Sequence, residues 1–410
     1  MKAVDVAIVG GGIMGASIGY QIKRRSKLSV AVFDKGMDPS EGSTGASSAI
    51  SRCRYSHPDV IRLAYQGQRA YRHWKELTEL AEPRSALNAA GVVWMLGQST
   101  GEVDVDVARL REQGARAERM GPEYLSELYP AVSTCVSPLD PEDPDGHECT
   151  PGEAFLYEPD GGYVDPVGAN QDLLEALERS GGEVHFGSAV VGVRSDGERV
   201  IGIDLADGTL LDTGLVINAA GPWCNTINQL AGVDVRWTLI PTRVQTLFRS
   251  WPTELGQLPV AVDASTQIYF RPDGTDRVLV ASASEEDERE QVDDPDSFKT
   301  SPDAEFREMK MAAFHHRVPK LVARGDIAGI AGLYTVNRED VHPIVGPSGK
   351  DGFWLANGFS GHGFKLAPAI GSMVAQAVTG EKASLDTDVP IEIFAVDREP
   401  IAVAAKNVLA

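Results

Sequence analysis

Residues 4–34 constrain the chain more tightly than any other stretch. A short apolar run, Val4 to Val9 with Asp5 inside it, leads into Gly10-x-Gly12-x-x-Gly15. Ala16 to Arg25 can form a helix, and Leu28 to Phe33 returns as a β-branched strand ending at Asp34. The first glycine permits a tight strand-to-helix turn, the second lets a pyrophosphate approach the backbone, and the third lets helix and strand pack closely. A helix N-terminus then faces a diphosphate with unpaired N–H groups and the positive end of its dipole. Asp34, at the end of the second strand, is placed to bond ribose hydroxyls and would repel a 2′-phosphate. The unit predicts a dinucleotide-binding α/β fold.

The rest of the chain has to supply the other layers. Ser56 with Asp59 reads as a capping box for a helix over Val60–Leu80, and Ser137–Pro151, with four prolines, reads as an irregular loop. A helix is expected over Asn170–Arg179, then strands over Glu183–Phe186, Ala189–Arg194, Val200–Ala206 and Leu215–Ala219. Residues 233–283 are strand-rich, and Ser301-Pro302 opens a helix reaching His316. Phe353–Ala356 is a strand, followed by the turn Gly358–Gly363 and a helix from Leu366. With 410 residues, two or three structural units are expected.

Composition limits the partners. The net charge of −21 argues against nucleic acid and anionic membranes, which need a positive surface. An acidic excess of this kind fits a salt-tolerant host; the preference for 26 Arg over 12 Lys fits a GC-rich genome equally well. No apolar run of ~18 residues and no signal-like start is present, so a cytoplasmic protein without a membrane span is expected. Cys53, Cys135, Cys149 and Cys224 are too scattered for a disulfide scaffold or a zinc knuckle, and they read as free thiols. Adjacent helical His315 and His316 point apart and cannot chelate one ion, so no metal site is assigned. The acidic run Glu285–Asp296 reads as a solvated loop away from any cofactor, which leaves the pocket locally positive.

Further small-residue turns decide between cofactors. Gly42-Ser43-Thr44-Gly45-Ala46-Ser47-Ser48, the Ala219-Ala220-Gly221 strand end, Asp340-Val-His342-Pro343 and Gly358-Phe359-Ser360-Gly361-His362-Gly363-Phe364-Lys365 are more close backbone approaches than NAD requires. Together with Gly162-Tyr-Val-Asp165-Pro166 and the run from Asn357 to Gly371, these motifs resemble the D-amino-acid oxidase-like FAD oxidoreductases. Within that family the similarity is to the branch of sarcosine oxidase and of dimethylglycine and sarcosine dehydrogenases.

The resemblance implies an α/β fold: a Rossmann-type FAD-binding domain (residues 1–80, 155–228 and 325–410) interleaved with a smaller α+β substrate domain (81–154 and 229–324) built on an antiparallel sheet. It places Gly10, Gly12, Ile13, Met14 and Gly15 at the FAD pyrophosphate, Asp34 and Lys35 at the adenosine ribose, Ser43 and Thr44 near the flavin side of the diphosphate, and Val190 by the adenine. Ala220 and Gly221 give a further backbone contact, and Gly358, Gly361, His362, Gly363, Phe364 and Lys365 fall at the flavin's pyrimidine edge, where N–H groups and a cation stabilise charge arising on reduction. Arg52 and Lys365 are implied to clamp a substrate carboxylate, and Tyr55, Tyr269 and Tyr334 to box an amine, with Lys365, Arg52 and Tyr334 in the catalytic centre.

Two departures matter. Gly332 stands where sarcosine oxidase-like enzymes attach FAD to a Cys, and residues 40–50 lack the His that dimethylglycine dehydrogenase-like enzymes use, so non-covalent FAD is expected. Leu279 matches the position of an O2-activating Lys, which implies a dehydrogenase whose electron acceptor is not O2. The expected reaction is oxidation of the C–N bond of a secondary or N-methylated, small anionic amino acid to an imine that hydrolyses. Two alternatives stay open: a D-amino acid or 2-hydroxy acid oxidoreductase, and a non-catalytic flavoprotein assembly or partner subunit.

Overall fold

The computed structural model describes residues 3–139, 147–197, 199–322 and 325–403, so residues 140–146 of the proline- and acid-rich loop lie outside it. Two large sheets carry the fold. The first has six strands in the order Ile344–Pro347, Phe353–Asn357, Leu215–Asn218, Val6–Val9, Val30–Phe33, Glu183–His185, all parallel except the Ile344–Pro347 edge. Its centre is in register Val6↔Leu215 on one side and Val6↔Val30 on the other. The continuous apolar run of Val6–Val9 follows from coverage on both faces: Val6 and Ile8 enter one core, Ala7 and Val9 another.

The helix Ile13–Lys23 is buried from Ile13 to Ile22 because the sheet lies on one side and the helices Pro166–Arg179 and Gly363–Thr379 on the others. Ser17 donates to the Ala367 carbonyl at 2.8 Å, and a side chain at Gly371 would come within 2.2 Å of the Ser17 hydroxyl. The two helices therefore touch backbone to backbone.

The second sheet has eight strands in the order Ala328–Asn337, Leu239–Ser250, Arg277–Ser282, Ile268–Asp273, Val260–Asp263, Val92–Met95, Phe155–Glu158, Glu118–Met120. It is antiparallel except where Val260–Asp263 runs parallel to Val92–Met95. The helix Ala304–Arg317 covers one face, with Phe314 edge-on to Phe270 at 5.2 Å, and the other face looks toward the first sheet. Strands Phe155–Glu158 and Ala328–Asn337 belong to this sheet, so division lines at 155 and 325 put two of its strands on the wrong side.

Local differences from the sequence reading have local causes. The helix expected over 60–80 is two, Pro58–Arg72 and Trp74–Thr78, interrupted at His73 (φ −106°, ψ 36°). Its cap is His57, whose ring accepts from the Asp59 N–H at 3.2 Å, not Ser56; Pro58 then fills the first helical position, where a missing N–H costs nothing. The helix expected from Asn170 starts at Pro166, with Asp165 accepting from the Val167 N–H at 3.1 Å. Among the described residues no helix is long and apolar enough to cross a membrane.

Candidate active site

Between the two sheets lies a cleft of about 620 Å³. Its floor is the glycine turn at the carboxyl ends of the parallel strands, where open α/β sheets bind ligands. Gly10 has φ +108°, and a side chain there would meet the Ala219 carbonyl at 2.4 Å; one at Gly15 would meet the Gly10 carbonyl at 1.9 Å. Gly12 is different: a side chain there would meet a side chain, the Thr44 hydroxyl at 2.9 Å, and not backbone, and the residue lines the cleft.

Around this turn the contacts are built by polar side chains. The Thr44 hydroxyl accepts from the Ile13 N–H at 3.0 Å, and the Asp34 carboxylate accepts from Gly11 N–H at 2.6 Å and Gly36 N–H at 2.7 Å. Fully buried Asn170 donates to the Gly11 carbonyl and to the Ser40 hydroxyl, both at 3.1 Å. Sequence reasoning missed Asn170, although its place one turn past the Asp165-Pro166 helix start is a signal. A backbone cradle open at Gly12, with a fixed carboxylate at its far end, fits a dinucleotide.

Gly10, Gly12, Ile13, Met14, Asp34, Lys35, Ser43, Thr44, Val190, Ala220, Gly221, Tyr269, Tyr334, Gly358, Gly361, Gly363 and Phe364 all line this cleft. Five expected contacts do not: Arg52 and Lys365 line a smaller pocket beside it, and Gly15, His362 and Tyr55 line neither. Gly15 is consumed by packing on Gly10. His362 lies behind the loop, its Nδ1 3.1 Å from the Tyr55 hydroxyl, and burial beside Lys365 and Arg52 pushes its pKa well down, so it is neutral. Tyr55 is itself a layer back, buried under Arg52, and lines neither the cleft nor the smaller pocket.

The acidic run is not remote either. Asp287, Glu288 and Asp296 line the cleft, because the loop leaves the strand Arg277–Ser282 at Ala281 and Ser282, which themselves line it. Ser282 holds the Asp287 carboxylate at 2.5 Å. Lys35 pairs with Asp296 and lies 4.1 Å from the Trp223 ring centre, so its charge is already matched by a carboxylate.

A side pocket of about 30 Å³ adjoins the cleft and shares Ser47, Ser48, Tyr269, Gly361 and Phe364 with it. Arg52 (3% exposed) and Lys365 (6%) are its two cations. The Arg52 guanidinium lies 4.4 Å from the Tyr55 ring centre and 5.1 Å from that of Trp94. Behind it sits buried Glu158, which accepts from the Cys53 N–H at 2.6 Å and the Trp94 Nε1–H at 2.8 Å. Lys365 has only a long contact, 3.4 Å, to the Gly361 carbonyl. Burial, helped by Arg52 and opposed by Glu288, pushes its ammonium pKa well below the usual range. Burial, together with Glu288, pushes the Tyr334 hydroxyl well up. Two buried cations of like sign are stabilised most by an anion that spans both.

A family model described as "DAO: FAD dependent oxidoreductase" matches residues 5–377. FAD-dependent oxidoreductase domain-containing protein 1 of Bos taurus is 27% identical over 91% of this chain and 81% of its own length. Peroxisomal sarcosine oxidase of Mus musculus is 26% identical over 90% of each chain. Among solved structures, L-proline dehydrogenase from P. horikoshii superposes with a TM-score of 0.80 at 20% identity, over 96% of this chain and 97% of that one, a likeness of fold.

Proposed function

The chain belongs to the FAD dependent oxidoreductase family, and from that premise and the side pocket we propose that it oxidises the C–N bond of a small secondary or N-methylated amino acid. The observation that carries the reading is the pair of buried cations, Arg52 and Lys365, beside a flavin-sized cleft. A carboxylate held by both offsets their desolvation and fixes the α-carbon against the cleft wall at Gly361 and Phe364. The Gly10–Gly15 turn, Asp34, Thr44 and the Gly358–Gly363 turn would hold FAD in the cleft, where it would supply a two-electron acceptor for oxidation of the carbon beside nitrogen.

The remaining groups orient and exclude water. Tyr269 and Tyr334 flank the space where the amine would lie, and the Glu288 carboxylate beside Tyr334 suits an ammonium better than a hydroxyl. That argues for an amine over a 2-hydroxy acid. The names of two similar proteins, sarcosine oxidase and L-proline dehydrogenase, both refer to secondary amino acids. Non-covalent FAD is supported at Gly332, where a side chain would come within 2.5 Å of the Ala46 β-carbon. An acceptor other than O2 is supported by buried Leu279, while Arg271 on the neighbouring strand is already held by Asp273 and the Ser48 carbonyl.

Anaerobic mixing with a panel of N-methyl amino acids, D-amino acids and 2-hydroxy acids tests the reading. N-alkyl amino acids should bleach the flavin, and later admission of air should restore its colour slowly. Bleaching by hydroxy acids alone, or by nothing in the panel, overturns it.

A further inference from the structure

A second cluster of chemically capable side chains lies outside the cleft. The chain enters and leaves the loop 137–151 through a narrow neck: Cys135 pairs with Pro151, the Val136 N–H donates to the Thr150 carbonyl at 2.9 Å, and the Gly152 N–H to the Thr134 carbonyl at 2.8 Å. Inside this neck the Cys135 sulfur lies 3.3 Å from His147 Nε2. The His147 ring stands edge-on to His316, centres 4.4 Å apart, and the ligand atoms of Cys135, His147 and His316 all fall within 4.8 Å of one another. The Cys149 thiol neighbours that of Cys135 but lies outside this three-membered cluster.

We propose that Cys135, His147 and His316 form the core of a structural zinc site that fastens the neck of this loop to the end of the helix Ala304–Arg317, with the exposed Cys149 thiol turning in as the fourth ligand when the ion binds. The donor set is two sulfurs and two imidazoles with no carboxylate, which selects zinc over magnesium or calcium. In a tetrahedral zinc site with bonds of ~2.0–2.3 Å, donor atoms lie about 3.5 Å apart, close to the Cys135–His147 separation. Among the described residues His316 Nε2 is buried without a hydrogen-bond partner, as a nitrogen awaiting a metal would be. Its neighbour His315 turns away to Arg249, 2.6 Å off, so adjacency on the helix excludes a site made of both histidines but not one made with His316.

The backbone is held ready for this role. Arg317, fully buried and paired with fully buried Asp263 at 2.6 Å, donates to the Ser133 and Cys135 carbonyls, each at 2.6 Å. Its charge is thereby neutralised beside the cluster, and Cys135 is fixed in place before any ion binds. Two thiolates would leave a bound Zn2+ formally neutral. None of the four residues lines the cleft or the side pocket, so the site is structural. Asp263, however, directly follows Val262 of the side pocket, which couples the fastening to the pocket wall.

The test uses the full-length flavoprotein, reduced, stripped with a chelator and given zinc alone. One equivalent should be retained after desalting and raise the melting temperature, and cobalt in its place should give tetrahedral d–d bands to the red of the flavin absorption. His316→Ala and His147→Ala, at half-exposed positions, should each abolish stoichiometric retention, as should Cys135→Ser, whereas Cys224→Ser should keep it. Failure of the reduced protein to retain zinc overturns the proposal, including the case in which Cys135 and Cys149 have merely formed a disulfide. Retention undiminished in both His316→Ala and Cys135→Ser overturns it equally.

Discussion

The cleft and its side pocket handle charge in opposite ways. The cleft is lined by glycine backbone and by carboxylates, Asp34, Asp287, Glu288 and Asp296, and its lysine, Lys35, is paired off with Asp296. The side pocket concentrates Arg52 and Lys365 in a space of about 30 Å³. A diphosphate in the cleft must therefore rely on N–H groups and the dipole of the helix Ile13–Lys23, whereas a carboxylate in the pocket meets the Arg52 guanidinium and, below its lowered pKa, the Lys365 ammonium. The net charge of −21 describes neither region. Backbone binding depends on shape and is lost through steric change; cationic binding depends on protonation and is lost through pH.

Steric change in the cleft should give the largest effect. Gly15→Ala drives a β-carbon to 1.9 Å from the Gly10 carbonyl and should yield protein without FAD, while Gly12→Ala, opposed by the Thr44 side-chain hydroxyl and not by backbone, should fold and lose part of its FAD affinity. Flavin-to-protein absorbance ratios after purification separate the two, and equal ratios would erase the distinction between packing and ligand-facing glycines. In the pocket, Arg52→Ala and Lys365→Ala should retain flavin but raise KM for a carboxylate substrate by ~10–100-fold each, in keeping with a lost charge-assisted hydrogen bond.

The same pocket should respond to alkali. Lys365 binds a carboxylate as the ammonium, whose pKa is held well below 10.5, so kcat/KM should fall as pH rises through that lowered value. Lys365→Met should remove this limb of the profile. The sign for stability is the reverse: below the folded pKa the buried ammonium is a cost, so this group's contribution improves as pH rises from there toward 10.5. The smallest effect is at Gly332. Acid precipitation of the wild type should leave the flavin in the supernatant, and Gly332→Ala, pressed against Ala46, should cost about 1–3 kcal/mol of stability without altering that outcome.

What could be read from the sequence divides along the same line. Gly10, Gly12, Asp34 and the Gly358–Gly363 turn were legible because a close backbone approach leaves glycines at fixed offsets beside a strand and a helix. Arg52 and Lys365 came only through family resemblance, since no local pattern marks a buried cation. That Tyr55 packs beneath the Arg52 guanidinium could not be read from their nearness in sequence. The Glu285–Asp296 run is solvated as expected, most of its acids being exposed, but it looked remote from the cleft because charge composition carries no information about where a preceding strand ends. Cys135, His147 and His316 were illegible as a group, since a helix far along the chain supplies the last member.

The interleaving of the two sheets bears on how the protein is made. Val6–Val9 lies between Val30–Phe33 and Leu215–Asn218, and the latter's other neighbour is Phe353–Asn357. The eight-stranded sheet likewise places Val92–Met95 beside Val260–Asp263 and is closed at its edge by Ala328–Asn337. An emerging chain therefore exposes unpaired strand edges until nearly all of it has left the ribosome, and contacts this distant in sequence fold slowly. Lys365 and the Gly358–Gly363 turn arrive last, so a nascent or truncated chain could hold the adenosine end of its cofactor before it has anything to oppose the flavin. Maturation of this enzyme is a problem of timing, in which flavin supply and chaperone protection must span the whole of synthesis.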